Sequence, residues 1–132
     1  MAQLSGNKRI KTAVFISGTG SNLKNLIQFS KEKKSPISIS LIISNNFESK
    51  GLKFAKIHKI EKKIFKFKKK TLDEKKLLKI LKNKGINLIC LAGFMQILSG
   101  SFIKSFKGKI LNIHPSLLPK YKGLDTLSLI HI

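Results

Sequence analysis

Three residue types that often define small folds are scarce in this chain. Its 132 residues include one cysteine, three prolines and no tryptophan. The lone thiol of Cys90 cannot form an internal disulfide, which argues against a disulfide-stapled secreted protein. No apolar run approaches the roughly 20 residues that a membrane-spanning helix needs, and the chain does not start with the apolar segment of a secretory signal. We therefore expect a soluble cytoplasmic protein with no membrane partner.

Acidic residues are also scarce: six Asp and Glu stand against 27 Lys and Arg, for a formal net charge of +21. Such an excess suits phosphate contacts in nucleic acids. However, Arg9 is the only arginine, and the lysines are spread along the chain, as a bias towards AT-rich codons would also produce. The densest run, residues 66–70 (KFKKK), is the candidate basic patch. Since no aromatic platform or recognition helix accompanies it, we expect anionic small molecules rather than a specific nucleic acid.

Apolar segments typical of buried strands alternate with segments of helical periodicity. This alternation predicts right-handed βαβ units in an α/β fold: an open, mostly parallel sheet with helices on both faces. The predicted strands are 11–17, 37–43, 64–67, 86–91 and 109–113, and the predicted helices are 21–33, 49–60, 71–85 and 101–106.

Two local signals mark the ends of the third helix. Thr71 and Glu74 have the spacing of a capping box, in which each side chain bonds to the other residue's backbone N–H. Gly85 suits the left-handed position that follows a helix.

A glycine-containing loop, residues 17–22 (SGTGSN), lies between the first strand and the first helix. Ligands of such sheets bind where the strands end, and the free N–H groups at a helix start attract anions. The loop lacks the third glycine of a dinucleotide fingerprint and the Gly-Lys-Ser/Thr of a Walker loop. Two interpretations remain: a site for a single phosphate, or a tight turn that needs glycine.

Two further loops follow predicted strands. Residues 92–98 (AGFMQIL) set Met95 and Ile97 beside a glycine, where they either line a flat aromatic ligand or pack in the core. Asn112 and His114 alternate at the end of the last strand, so both side chains point to one side. An amide that holds an oxyanion and an imidazole that moves a proton suit acyl transfer, although a structural histidine is the other interpretation. Cys90, in the middle of a strand, is expected to be a buried, inert thiol.

Together, the three loops resemble a known family. Residues 17–23, 91–98 and 111–123, in this order and spacing, are similar to motifs of the phosphoribosylglycinamide formyltransferase family. The resemblance extends from about Lys11 to Thr126 and implies a Rossmann-like formyltransferase fold. It also implies the transfer of a formyl group from the co-substrate 10-formyltetrahydrofolate to the amine of glycinamide ribonucleotide, in de novo purine biosynthesis. Neither a metal nor a covalent enzyme intermediate is implied.

The resemblance also implies, position by position, which residues form the site. Asn112 and His114 correspond to the catalytic pair, which stabilises the oxyanion and assists proton transfer. The residues that would bind the phosphate of the ribonucleotide are Gly20, Ser21 and Asn22, and those that would contact the folate are Lys70, Met95, Gln96, Ile97, Leu98 and Asn112.

The sequence departs from the family pattern in several places. Gln96 and Lys70 stand where relatives usually carry arginine, so an ionic contact and a planar fork are lost. The family places a catalytic Asp well beyond His114, whereas Asp125 comes too early to match. We expect residues 1–10 to be an extension, 11–126 an incomplete formyltransferase domain and 127–132 a non-native tail. We also expect negligible formyl transfer by this chain alone.

Two related enzymes share the Asn-x-His pattern and remain alternatives. Formyltetrahydrofolate deformylase would pass the formyl group to water, and methionyl-tRNA formyltransferase would pass it to a charged tRNA. The phosphate loop at residues 17–23 favours the ribonucleotide over both. A basic nucleic-acid-binding module is the non-enzyme alternative, and it would bind DNA or RNA in a salt-sensitive way. The sequence does not indicate an oligomeric state.

Overall fold

The structure is a computed structural model that describes residues 8–113. Strands and helices alternate along this part of the chain, as the sequence predicts. In chain order the elements are β1 (Ile10–Ile16), α1 (Ser21–Ser30), β2 (Ile37–Ser44), α2 (Leu52–Ile57), β3 (Glu61–Ile64), α3 (Lys70–Asn83), β4 (Leu88–Leu91), α4 (Gly100–Ser105) and β5 (Lys109–Asn112).

The five strands form one parallel sheet in the order β3-β2-β1-β4-β5. The chain runs outward from β1 through β2 to β3, then returns to the other side of β1 and continues through β4 to β5. The direction of winding therefore changes between β1 and β4. Ligands of open α/β sheets bind at this switch point, at the carboxyl ends of the strands.

Helices cover both faces of the sheet because its central strand is buried on both. Val14 and Ile16 pack with α1 and α2, whereas Ala13 and Phe15 pack with α3 and α4. The side chains of these four residues are fully buried. This arrangement confirms the predicted open parallel sheet with helices on both faces. No helix within residues 8–113 is long and apolar enough to cross a membrane.

The position predicted for the third strand was wrong by three residues. The strand is Glu61–Ile64 rather than 64–67. It lies at the edge of the sheet, where Glu61 and Lys62 are exposed, so it lacks the apolar run that marks a covered strand. Phe67, which was predicted to end the strand, is buried in the core from a loop, with a positive φ of 57°.

The predicted capping box was also wrong. Helix α3 begins at Lys70, and its N-cap, Lys69, makes no side-chain capping hydrogen bond. Thr71 therefore lies inside the first turn, and the carboxylate of Glu74 accepts hydrogen bonds from Ser99 instead. The prediction for the other end is confirmed, because Gly85 follows the helix with φ 70°.

The first two helices are shorter than predicted. Helix α1 ends at Ser30, and the guanidinium of Arg9 donates a hydrogen bond of 2.7 Å to the Ser30 carbonyl. Helix α2 starts only at Leu52, because residues 49–51 form a turn that bonds to the loop after β1. The residues at these ends are mostly polar and fit a helix or a turn equally well. The apolar pattern therefore overestimates the lengths of both helices.

We expect Gly108→Ala to lower the free energy of unfolding by roughly 2 kcal/mol or more, since overpacking typically costs 1–3 kcal/mol. A Cβ at position 108 would lie 1.9 Å from the carbonyl oxygen of Asn87, which accepts the backbone bond from Lys109. Urea unfolding followed by circular dichroism measures the change. The matched control is Gly100→Ala, since a Cβ there meets nothing within 4 Å. Equal stability of the two variants would contradict the prediction.

Candidate functional site

The glycine turn, residues 18–20 between β1 and α1, leads into backbone N–H groups at the switch point. Gly20 is the N-cap of α1 and has φ 83°, a conformation that glycine adopts without strain. Within the described residues, no side chain caps this end of the helix. The N–H groups of its first turn are therefore free to bind an anion, which the helix dipole also favours.

A close contact with a second glycine holds this turn in place. A Cβ on Gly20 would lie 2.5 Å from the Cα of Gly51, at the start of α2. The Gly51 N–H donates to the Gly18 carbonyl at 3.0 Å, and the Ser49 hydroxyl donates to the same oxygen at 2.6 Å. Glycine is thus required for packing, and the turn it builds also leaves the helix N-terminus open. The two interpretations of residues 17–22 are compatible.

A cleft of about 310 Å³ lies between this turn and the loop after β4. It is at the switch point, where the sequence analysis expects a ligand. Residues of the two loops line it: Ser17, Gly18, Thr19, Gly20, Ser21, Asn22, Ala92, Gly93 and Met95. The Oδ1 atom of Asn22 is buried and has no hydrogen-bond partner among the described residues.

A larger cavity, of about 410 Å³, lies at the opposite end of the sheet, where β4 and β5 begin. Apolar side chains such as Leu78, Ile86 and Phe106 form much of its lining, together with three lysines. No glycine turn opening into a helix and no predicted site residue lies there. We therefore take the cleft at the carboxyl edge as the candidate site.

The loop after β4, residues 92–98, points alternate side chains inward and outward. Phe94 packs edge-on against Phe15, with ring centroids 5.3 Å apart, and against Phe67. Met95 and Ile97 are 81% and 79% exposed. Between the interpretations left open by the sequence, the structure excludes core packing for these two residues. Gln96 and Leu98 are half-buried.

Hydrogen bonds fix the 92–98 loop near its middle and just beyond its end. The Ser17 hydroxyl accepts a hydrogen bond from the Met95 N–H at 2.8 Å and donates one to Asn45 Oδ1 at 2.7 Å. At Ser99, the buried carboxylate of Glu74 accepts from the backbone N–H at 2.9 Å and from the hydroxyl at 2.6 Å. Ser99 in turn caps α4 by accepting from the Phe102 N–H.

Lys70 lies one helical turn before Glu74, as the first residue of α3. Residues four apart share a face of a helix. Because Glu74 holds Ser99, Lys70 is on the side of α3 that faces the end of the 92–98 loop. It is half-buried, whereas its neighbours Lys68 and Lys69 are exposed.

Asn112 is exposed at the end of β5. It pairs with Leu91, which pairs with Phe15, so the three residues form one row across the sheet. With neighbouring strands about 4.8 Å apart, the Cα of Asn112 is roughly 10 Å from that of Phe15. Asn112 is therefore at the same edge as the cleft, two strands away from the glycine turn.

Several predictions concern residues outside the described range. His114 follows the described part of the chain directly, and Asp125 and the 127–132 tail lie further on. Most of the predicted extension, residues 1–7, also lies outside it. The role of His114 and the domain boundaries stay predictions.

Within residues 8–113, no group of three or more His, Cys, Asp or Glu residues could hold a metal ion. Cys90 is fully buried in β4, and burial raises the pKa of its thiol to about 12.

The sequence analysis did not predict the roles of four polar residues that organise the site: Ser17, which links two loops, Asn45, Glu74 and Ser99. Asn45 directly follows β2, so its position at the carboxyl edge was a usable signal. The capping-box pattern predicts the Thr71 backbone as the partner of Glu74, whereas its carboxylate bonds to Ser99 instead.

Comparisons with known proteins are consistent with this geometry. A family model described as formyl transferase matches residues 10–130. The trifunctional purine biosynthetic protein adenosine-3 of Gallus gallus is 43% identical over 125 residues, which are 92% of this chain and 12% of that protein. The phosphoribosylglycinamide formyltransferase of Haemophilus influenzae is 42% identical over 119 residues, which are 88% of this chain and 56% of that protein.

Solved structures have the same fold. The phosphoribosylglycinamide formyltransferase from Brucella melitensis superposes with a TM-score of 0.76 at 41% identity, covering 90% of this chain and 64% of that chain. Glycinamide ribonucleotide transformylase 1 from Geobacillus kaustophilus gives a TM-score of 0.75 at 31% identity, covering 92% and 66%. The chain thus spans less than two thirds of the length of each of these four relatives.

We expect Glu74→Ala to lower the free energy of unfolding by about 2–4 kcal/mol, because it removes two hydrogen bonds to a charged group and leaves a cavity. Urea unfolding measures the loss. Glu48→Ala is the matched control, since Glu48 is exposed. A Glu74→Ala variant as stable as the control would contradict the structural role of this carboxylate.

We expect Cys90 to resist alkylation in the folded protein, because a thiol with a pKa of about 12 contains almost no thiolate at pH 8 and is also inaccessible. Mass spectrometry after iodoacetamide treatment measures the modified fraction. The same reaction in urea is the control and should go to completion. Rapid modification of the native chain would show that β4 opens readily.

Proposed function

The chain belongs to the formyl transferase family, and on that premise we propose that its site serves the transfer of a formyl group from 10-formyltetrahydrofolate to the amine of glycinamide ribonucleotide, in purine biosynthesis. The names of the relatives support this choice of reaction. The observation that carries it is the single cleft shared by an uncapped helix N-terminus and an exposed apolar loop. These two features suit an anionic acceptor and a flat aromatic donor, held side by side.

Gly20, Ser21 and Asn22 bind the phosphate of the ribonucleotide in this proposal. Their position at the start of α1 provides N–H donors and the positive end of the helix dipole. The buried Oδ1 of Asn22 accepts no hydrogen bond from residues 8–113, and a ribose hydroxyl is a group that would supply a donor. The overall charge of +21 favours the approach of such an anion.

The folate binds along the 92–98 loop. Met95 and Ile97 offer exposed apolar surface to its ring system, and the half-buried Gln96 and Leu98 lie between and beyond them. Lys70, at the start of α3, faces the end of this loop and would attract a carboxylate of the folate as a point charge.

Asn112 and His114 carry out the chemistry in this proposal. The amine of the ribonucleotide attacks the formyl carbon, and the Asn112 amide donates a hydrogen bond to the oxyanion that develops. His114 assists transfer of a proton from the attacking amine to the departing folate nitrogen. A preorganised donor of this kind contributes about 3–4 kcal/mol to transition-state stabilisation. No step in this scheme uses a metal ion.

The ribonucleotide is the proposed acceptor because of the glycine turn. A deformylase needs only a water molecule, and a tRNA acceptor would be bound over a much larger surface. The turn supports a single phosphate in the cleft instead. We propose no specific nucleic-acid partner, because Arg9 is the only arginine and arginine is the side chain that most often reads bases.

Ligand binding tests this proposal without requiring turnover. We expect isothermal titration calorimetry to detect glycinamide ribonucleotide binding, and we expect the phosphate-free riboside to bind roughly ten-fold or more weakly, the equivalent of one lost charge-assisted hydrogen bond. Gly20→Ala should remove this preference, because a side chain there meets Gly51 and the φ of 83° is strained. Gly18→Ala should retain it, since a Cβ at that position meets no described residue within 4 Å.

Circular dichroism establishes that both variants are folded before binding is compared. Equal affinity of the wild-type chain for the ribonucleotide and the riboside would overturn the phosphate site. A preference for methionyl-tRNA would point to the related tRNA formyltransferase instead.

A further inference from the structure

The hydroxyl of Ser17 lies where three loops of the carboxyl edge meet. Ser17 directly follows β1 and precedes the glycine turn, Asn45 directly follows β2, and Met95 belongs to the loop after β4. The hydroxyl contacts the other two loops through hydrogen bonds of 2.7 and 2.8 Å. Among the described residues, this is the side-chain group that joins the glycine turn to the 92–98 loop by hydrogen bonds.

The directions of the two hydrogen bonds are fixed by their chemistry. The backbone N–H of Met95 can only donate, so the Ser17 oxygen accepts from it. The single hydroxyl proton is then directed to Asn45 Oδ1. A hydroxyl offers one donor and two acceptor sites, and one of each is used here. A side chain without a hydroxyl at position 17 would lose both bonds.

The 92–98 loop is held near Met95 by this hydrogen bond and by the packing of Phe94 against Phe15 and Phe67. The Met95 and Ile97 side chains are mostly exposed, and the next polar anchor is at Ser99. A displacement of the Met95 backbone therefore pulls on Ser17, which is three residues from Gly20 along the chain. The path between the proposed phosphate site and the proposed folate loop is one hydrogen bond and a short, glycine-anchored turn.

We propose that Ser17 is a positioning residue that couples the two substrate subsites: ribonucleotide bound at the glycine turn orders the 92–98 loop and raises its affinity for folate. The inference rests on the proposed function and goes beyond it, because it concerns how one subsite influences the other. Ordering one loop reduces the conformational entropy that the second ligand must remove. By thermodynamic linkage, folate must strengthen ribonucleotide binding by the same factor.

Binding of tetrahydrofolate, with and without saturating glycinamide ribonucleotide, tests the coupling. In the wild-type chain we expect the ribonucleotide to lower the Kd for tetrahydrofolate about five-fold or more, at the lower end of typical coupling. In Ser17→Ala this ratio should fall to about one. Ser17→Thr retains the hydroxyl and should restore it.

Ser44→Ala is the matched control. Ser44 is also a serine at the carboxyl end of a strand, but among residues 8–113 its hydroxyl bonds only to the backbone of Asn46, within its own loop. The substitution tests whether the loss of any buried serine hydroxyl at this edge changes the ratio. We expect the ratio to remain at its wild-type value.

A second measurement needs neither substrate. Inorganic phosphate, titrated into labelled protein, should shift the amide resonance of Met95 in the wild-type chain and in Ser44→Ala, but not in Ser17→Ala. The resonances of Ser21 and Asn22 should shift in all three proteins. This readout reports transmission between the loops, and loss of stability alone would not produce it.

The outcomes separate the two proposals. Failure of the wild-type chain to bind ribonucleotide, tetrahydrofolate or phosphate would overturn the proposed function. Normal binding with a ratio of one, or a ratio unchanged in Ser17→Ala, would overturn the coupling role and leave the function intact. A ratio lost equally in Ser44→Ala would reduce Ser17 to a general structural residue.

Discussion

The close approach of two backbones, at Gly20 and Gly51, is the constraint on which the site depends. There is no space for a Cβ on either residue, so the turn after β1 and the start of α2 touch directly. The contact fixes the position of the α1 N-terminus relative to the strand ends. It also brings the Gly18 carbonyl within reach of both the Ser49 hydroxyl and the Gly51 N–H. The proposed phosphate site needs such a rigid support, since backbone N–H groups cannot adjust as lysine side chains can.

Two of the six acidic residues have specific structural roles in this basic chain. Glu74 is buried, and its carboxylate anchors Ser99, the residue that follows the 92–98 loop. Glu61, on the exposed edge strand β3, pairs with Lys84 and Lys63, and the hydrogen bond from Lys84 is the main cause that lowers the pKa of this carboxyl. The excess of lysine therefore coexists with ordered local ion pairs. Most of the positive charge stays in solvent, where it acts on ligands through the field around the molecule.

The sequence was sufficient to predict the architecture, because buried parallel strands produce apolar runs that glycine and polar loops separate. It was also sufficient to locate the glycine turn and the 92–98 loop. It failed at β3, whose edge position leaves charged residues in the strand, and at Glu74, whose partner lies 25 residues away. Long-range hydrogen bonds such as Ser17 to Met95 leave no local pattern, since they depend on how loops from different strands converge. Predicting the exposure of Met95 and Ile97 likewise requires the positions of Phe15 and Phe67, because Phe94 packs against them and directs its neighbours outward.

The two edge strands of the described sheet, β3 and β5, differ in how well they suit pairing with a further strand. At β3, the side chains of Glu61 and Lys62 are exposed, and Glu61 forms ion pairs with Lys63 and Lys84. These charges lie along the edge strand of the described sheet. A further strand docking there would have to desolvate charges, and charged edge strands in natural proteins discourage such pairing. Strand β5 carries fewer charges: Ile110 and Leu111 are buried, and they lie between exposed Lys109 and Asn112. A further strand would therefore meet fewer charged side chains at β5, the side that carries Asn112, next to the proposed reaction centre.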